Sequence, residues 1–253
     1  MVQNLCFEPI LVRSMKHPVS STKRRCGVWL IIFITFSSAI SGQAQSYKWS
    51  IGSAITNYQF QNSKGLAIEW MKPSAGLHVE LSHENALIDT VRLISKFSKS
   101  ALFFNNHPKL AKTLSHLNYA IGLNYHQLNA IGDVRQIAFS YQTDFVGFSA
   151  SLGPKFTVYR GWAVGLSGVM MGQQLIAGNQ LLGAKYFPLT EDTQFNTFKV
   201  FGGYQAEISK SVNANVRAFV LIRRTASLFS PQTPTGTLDF LPATISMGIS
   251  IKR

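Results

Sequence analysis

The chain has 253 residues, with 24 Lys+Arg against 11 Asp+Glu, two cysteines and a formal charge of +13. That length suits one or two domains, and two cysteines exclude a disulfide framework or a thiolate metal cluster. A basic excess of this size raises nucleic acid as a partner, a reading the first element removes.

That first element is an export signal. Arg13, Lys16, Lys23, Arg24 and Arg25 form a basic region. An apolar run from Gly27 to Ile40 (GVWLIIFITFSSAI) follows, then a small-residue exit, SGQAQS. This is the layout of a secretory signal peptide, spanning 1–44, with cleavage after Ala44. Met15 directly precedes the basic region and is an alternative start. The apolar run is shorter than the roughly 20 residues a spanning helix needs. Cys26 precedes the apolar core, whereas a lipidated cysteine follows it. Cys6 and Cys26 both fall in the removed part, so the mature chain has no thiol. It keeps 19 Lys+Arg and 10 Asp+Glu, a net charge of +9. For a chain exported through the Sec pathway, anionic lipid headgroups are a simpler partner than nucleic acid.

From residue 45 to 253 the dominant signal is a period of two, the mark of a strand with two unlike faces. Ten stretches carry it: roughly 47–60, 64–72, 75–83, 117–128, 133–142, 146–159, 162–174, 194–209, 213–228 and 241–253. Most reach the roughly 9 to 11 residues with which a tilted strand crosses a bilayer. In 117–128, Tyr119, Ile121, Leu123 and Tyr125 alternate with Asn118, Ala120, Gly122, Asn124 and His126. In 146–159, Val146, Phe148, Ala150, Leu152, Phe156 and Val158 share one face. The last strand, TISMGISIKR, places Ile245, Met247, Ile249 and Ile251 opposite Ser246, Gly248 and Ser250. Turn residues punctuate the pattern at Lys72-Pro73-Ser74, Ile131-Gly132-Asp133, Arg160-Gly161 and Lys210-Ser211.

A soluble sandwich turns its apolar faces inward and covers the outside with dense charge. Here the polar faces are rich in Gly, Ser, Asn and Thr, and the apolar faces carry no Lys, Asp or Glu across their middle. That is the inside-out pattern of an all-β transmembrane antiparallel up-and-down barrel. A lipid-exposed sheet must close, because an open edge finds no water to bond. The stretches give about ten strands, with eight or twelve as alternatives. Alternate connections are short (72–75, 129–132, 160–161, 210–212), and 84–116, 175–193 and 229–240 are long. This expectation puts both termini on the short-turn, periplasmic side and 84–116 on the extracellular side.

The chain resembles the bacterial outer-membrane β-barrel proteins, in particular the small barrels common in Bacteroidetes. The resemblance rests on GQAQS, NYAIGLNY, VGFSASLGPKFTVYRGWAVGLSG, FKVFGGYQAEIS and TISMGISIKR, and spans nearly all of the mature chain. It implies an outer-membrane location and folding by an assembly machine that reads the last strand. Such strands usually end on an aromatic residue, whereas this one ends Lys252-Arg253.

Alternation directs Glu69, Glu80, Lys155, Lys199, Glu207, Arg217 and Arg223 into the lumen. Both signs are present, so these side chains are expected to cross-pair and fill a small barrel. Opposite-charge partners are expected for Glu207 and Lys199 in particular, since a buried unpaired charge is costly. Tyr47, Trp49, Trp70, Trp162 and Tyr204 lie near strand ends and suit an interfacial girdle. His78, Glu80 and Ser82 share one face. Alternate residues on a strand are nearly 7 Å apart at a rise of roughly 3.4 Å, too far for a triad made within that strand. The six histidines show no metal-ligand spacing. No cofactor, metal or catalytic residue is therefore expected. The 84–116 connection carries Leu87, Val91 and Ile94 at helical spacing with Arg92, Lys96 and Lys99 off that seam, and short amphipathic helices are expected there.

The expected function is a monomeric barrel with a structural, binding or narrow-pore (porin-like) role in the cell envelope, not an enzyme. Its expected partners are outer-membrane lipid and the assembly machinery. The alternatives are a secretion or transport component that binds an envelope partner through 84–116, a rim-located hydrolase, and a soluble exported β-sandwich.

Overall fold

Eleven strand segments form one antiparallel sheet that curls until its ends meet. The structure, a computed structural model, describes residues 46–68, 71–87, 114, 116–134, 137–234 and 236–252. The signal peptide, Glu69, Trp70 and most of the 84–116 connection, with its expected helices, lie outside these residues.

The strands are β1 (Ser46–Asn62), β2 (Ala67–Ile68), β3 (Met71–Ala86), β4 (Leu117–Gln127), β5 (Asn129–Val134) and β6 (Ile137–Tyr159). They continue as β7 (Trp162–Leu182), β8 (Lys185–Pro188), β9 (Lys199–Ser211), β10 (Val216–Ser227) and β11 (Gly236–Lys252). A 3-10 turn at Leu189–Glu191 and one short helix, α1 (Thr193–Asn196), lie between β8 and β9. Eight strands close the ring in chain order: β1, β3, β4, β6, β7, β9, β10, β11 and back to β1. β5 prolongs β4 between β3 and β6, while β2 and β8 extend β1 and β7 as short hairpin tips.

The closing pair is long and in register, from Ser46 opposite Lys252 to Asn62 opposite Gly236. It removes both sheet edges, which otherwise present unpaired N–H and C=O groups. The alternation of the last strand is fully expressed. Ile245, Met247, Ile249 and Ile251 point outward, and Ser246 and Ser250 are buried in the lumen. The same holds around the ring. Ile51, Val79, Ile121, Phe148, Val164, Ile208 and Val220 are exposed on the outer wall. Between β6 and β7, Arg160 (φ 43°) and Gly161 (φ 81°) make a two-residue turn between Tyr159 and Trp162. Both positive angles suit the twist of a tight hairpin, and glycine adopts them without strain.

The ring of eight, one of the alternative counts, corrects two divisions, one made on turn chemistry and one on a break in the alternation. The stretches 64–72 and 75–83 collapse into one passage, because β3 runs straight through Pro73. That residue lies beyond the last β1–β3 pair, Ile55–Ala75, and its strand partner is Ala130 of β5, so a missing N–H is tolerated. From Ile137 onward the stretches 133–142 and 146–159 are likewise one strand, β6, while 133–134 close β5. The break read between them is only a register shift at Asp144/Phe145. One passage fewer before residue 84 moves the 84–116 connection to the other end of the barrel. Glu84 pairs with Ser46, and the Lys155 N–H donates to His116 O at 2.8 Å, so the connection leaves and re-enters at the end of the barrel where β1 begins and β11 finishes, the terminal end. The expected placement opposite the termini is therefore overturned. The stretch 194–209 also starts late, since 193–196 is helical and β9 begins at Lys199.

Candidate functional site

The lumen is the place where chemistry-bearing side chains converge. Its two halves are filled differently.

In the half nearer the termini, four charges from four strands form a closed ring. Lys48 comes from β1, Glu84 from β3, Lys155 from β6 and Glu207 from β9. Lys48 Nζ is 2.9 Å from Glu84 Oε2 and also bonds Glu207. Lys155 Nζ is 2.7 Å from Glu84 Oε1 and 2.9 Å from Glu207 Oε1. Each cation thus touches both anions, and the four charges sum to zero. Lys48 Nζ also lies 4.7 Å from the centre of the Phe219 ring. A space of about 30 Å³ remains beside these groups, enough to admit a water. Outside the ring, a polar mouth of about 210 Å³ opens among Asn118, Asn213, Asn215, Arg217 and Lys252.

Midway along the barrel, Arg223 organises a second network. Its Nη1 is 2.6 Å from Glu80 Oε2, and its Nε donates to Gln205 Oε1 at 2.9 Å. The other Glu80 oxygen accepts from Ser149 Oγ at 3.2 Å, and His78 Nε2 lies 3.6 Å from Glu80 Oε2. The fully buried His78 ring sits 4.4 Å from that of His126, centre to centre. Gln173 Nε2 donates to Asn124 Oδ1 at 2.6 Å and lies 3.1 Å from His126 Nδ1. With Gln173 as the donor, the ring hydrogen of His126 is on Nε2, directed at Thr244 Oγ1 3.1 Å away.

At the end away from the termini the filling is aromatic. Phe195 of α1 inserts among Tyr58, Tyr141 and Phe240, with ring centres 6.4, 5.2 and 5.8 Å away. Tyr58 Oη donates to Leu128 O at 2.6 Å, so its hydroxyl is satisfied inside the plug. Lys199 is buried here. It donates to Gln194 O and lies 5.1 Å from the Phe240 ring centre. Among the described residues no carboxylate lies within ion-pair distance of it, so the expected opposite-charge contact is replaced by a carbonyl and a ring face.

Of the residues directed inward by alternation, Glu80 and Arg223 meet in one network and Lys155 and Glu207 in another. Lys199 stands apart in the aromatic half, Arg217 lines the mouth half-buried, and Glu69 lies outside the described residues. Sequence reasoning missed Lys48 and Glu84. Lys48 was accessible to it, because Trp49 faces outward and its neighbour must face in. Glu84 was assigned to a connection because β3 runs on to Ala86, past the point where the alternation was read to stop. Among the aromatics, Trp49, Trp162 and Tyr204 are exposed on the outer wall. Trp49 and Trp162 lie toward the terminal end, and Tyr204 lies further along, paired with Gly168. Tyr47 is half-buried against His83, with ring centres 5.3 Å apart, and Trp70 lies outside the described residues.

Serine, histidine and carboxylate groups from different strands do converge on Glu80. The carboxylate, however, lies between Ser149 and His78. Nucleophile activation needs the imidazole between hydroxyl and carboxylate. Ser82, on the same strand face, is buried near Lys48, its β1 pairing partner. No group of three or more metal-ligating side chains occurs among the described residues.

No protein-family model and no curated protein sequence matches the chain. Solved structures do. Neisserial surface protein A aligns over 82% of this chain and 97% of its own, at 11% identity and a TM-score of 0.44. The outer-membrane protease OmpT from Escherichia coli aligns over 84% and 98%, at 6% identity and 0.43. The attachment invasion locus protein Ail of Yersinia pestis, in complex with the heparin analogue sucrose octasulfate, aligns over 83% and 99%, at 12% and 0.36.

Proposed function

We propose that the chain is a bacterial outer-membrane barrel with a closed interior, which serves the envelope as an anchored scaffold and binds at its ends. It is neither a conduit nor an enzyme. The observation that carries this reading is the mutual pairing of six lumen charges, Lys48, Glu80, Glu84, Lys155, Glu207 and Arg223. An open pore needs a continuous water-filled path lined by polar groups left free for a passing solute. Here Lys48, Lys155, Glu84 and Glu207 are consumed by one another, Arg223 by Glu80, and the far end by an aromatic plug. The exposed apolar rows support membrane insertion, and the +9 balance of the mature chain suits anionic headgroups. In this reading both termini and both ends of the 84–116 connection face the periplasm.

The test is conductance in planar bilayers. The expected record shows no discrete current steps, while reproducible steps from correctly inserted protein overturn the closed-interior reading. A second reading, an export-assembly component that binds through 84–116, draws on the exit of that connection beside the termini. Pull-down from solubilised envelopes, with and without residues 88–113, tests it. Loop-dependent recovery of one defined partner supports it, and equal recovery rejects it.

A further inference from the structure

The outer wall of the barrel is not uniformly convex. A hollow of about 830 Å³ with an almost wholly apolar lining lies toward the terminal end. Strand register explains it. At one level the outward residues run Trp162 (β7), Lys210 (β9), Ala218 (β10), Ile249 (β11) and Trp49 (β1), each paired with the next. The next level runs Val164, Ile208, Val220, Met247 and Ile51. Ala218 has the one methyl-sized side chain in these two rows. It forms a floor, with the indoles of Trp49 and Trp162 standing exposed on either side. Ile208, Val220 and Met247 of the next level border the floor on one side.

The rim of the hollow carries a cation. Lys210 Nζ lies 4.9 Å from the Trp162 ring centre and has no carboxylate partner among the described residues. Arg160, in the adjoining turn, lies at the same distance from the Tyr159 ring. A ring face holds a cation at the interface without neutralising it, so its charge remains available to an anion.

We propose that this hollow seats one anionic glycerophospholipid of the membrane. An acyl chain lies over Ala218 between Trp49 and Trp162, and the headgroup phosphate bonds Lys210. The choice of occupant rests on complementarity. A lipid supplies an apolar chain and a phosphate in the order the wall presents a groove and an ammonium. A second copy of the chain would bring the same cations against themselves. The proposal builds on the membrane-barrel reading and deepens it.

Native mass spectrometry of the refolded, detergent-solubilised full chain tests it, with phosphatidylglycerol and phosphatidylethanolamine as probes. One phosphatidylglycerol is expected to remain bound per chain. Lys210→Gln should weaken its retention about fivefold, the effect of one cation near a headgroup. Ala218→Trp, which fills the floor from outside, should abolish it, and Ile222→Trp, away from the hollow, should not. Equal retention by wild type and Ala218→Trp, no retained lipid, or an Ala218-dependent dimer overturns the proposal. Heat-modifiable gel migration and vesicle insertion of each protein separate the two readings. Insertion without bound lipid defeats the lipid seat alone, whereas failure of the wild type to insert defeats the barrel reading and the seat with it.

Discussion

The two halves of the lumen solve one packing problem with opposite chemistry. Toward the termini the space is crossed by Lys48, Glu84, Lys155 and Glu207, and at the far end by Tyr58, Tyr141, Phe145, Phe195 and Phe240. The charged half is drawn entirely from barrel strands. The aromatic half borrows Phe195 from the β8–β9 connection, which folds inward over the mouth. Charges in an enclosed space stabilise mainly by avoiding the cost of being unpaired, so their arrangement fixes register more than it adds stability. Aromatic burial adds stability directly through apolar area and packing. The far end is therefore expected to hold the barrel shut, and the terminal half to keep the strands aligned.

The sharpest way to break this contrast is at Phe240. It is fully buried, 4.8 Å from Tyr58 and 6.3 Å from Phe145 between ring centres, and it carries Lys199 on its face. Phe240→Ala should cost about 4–5 kcal/mol, the upper range for a deleted core aromatic. Urea unfolding of the refolded barrel, followed by tryptophan fluorescence, measures it. A loss under about 1 kcal/mol would show that the plug is loosely packed and that the charged half carries the stability.

The second test separates pairing from stability. Arg223→Met leaves Glu80 buried with only Ser149 and His78 near it, and should cost about 3 kcal/mol. Adding Glu80→Gln removes the stranded charge and should restore most of that loss. The same urea series on the two single variants and the double variant gives the coupling. If the double variant is no more stable than Arg223→Met alone, the pair contributes stability as such, and the premise that lumen charges act mainly by avoiding an unpaired partner fails.

How much of this was legible in the sequence depends on whether a residue's orientation was forced by alternation. In a closed barrel each strand must alternate, so Ile245, Met247, Ile249 and Ile251 could be placed outward, and Glu80, Glu207 and Arg223 inward, from spacing alone. The strand number depends instead on whether a break signal is obeyed. Pro73 and the Thr143–Phe145 segment look like turns. Pro73 sits where β3 has already left β1, and the second segment is absorbed as a register shift in β6. Each misreading inserts one false passage. The second cancels the first, so the short turns at 160–161 and after 210 stay on the terminal side, while the two connections between the misreadings, 84–116 and 129–132, change ends, the latter as part of β5. The environment of Lys199 was not legible at all. Its carbonyl partner is Gln194, in a segment that folds back locally, and its aromatic partner comes from a distant strand. Neither follows from a periodic pattern.

The smallest effect concerns the one part of the plug that is not barrel wall. Asp192 caps α1 by accepting the Gln194 N–H at 2.7 Å, and the Gln194 side chain reaches across to the β10–β11 connection. There its Nε2 donates to Thr233 Oγ1 at 2.9 Å and to Gly236 O at 3.2 Å. These bonds hold the segment carrying Phe195 over the mouth, while Phe195 itself supplies the apolar anchorage. Gln194→Ala removes the polar latch and leaves the aromatic one, so it should cost about 1 kcal/mol locally. Because that cost falls on opening of the connection, global unfolding should barely move. Limited proteolysis at 189–198 should instead accelerate about fivefold in the regime where cleavage follows the open population. An unchanged cleavage rate would show that Phe195 alone secures the mouth. A shift of the global urea midpoint equal to that of Phe240→Ala would show that the connection and the barrel wall unfold as one unit, which removes the distinction between a borrowed plug and a wall.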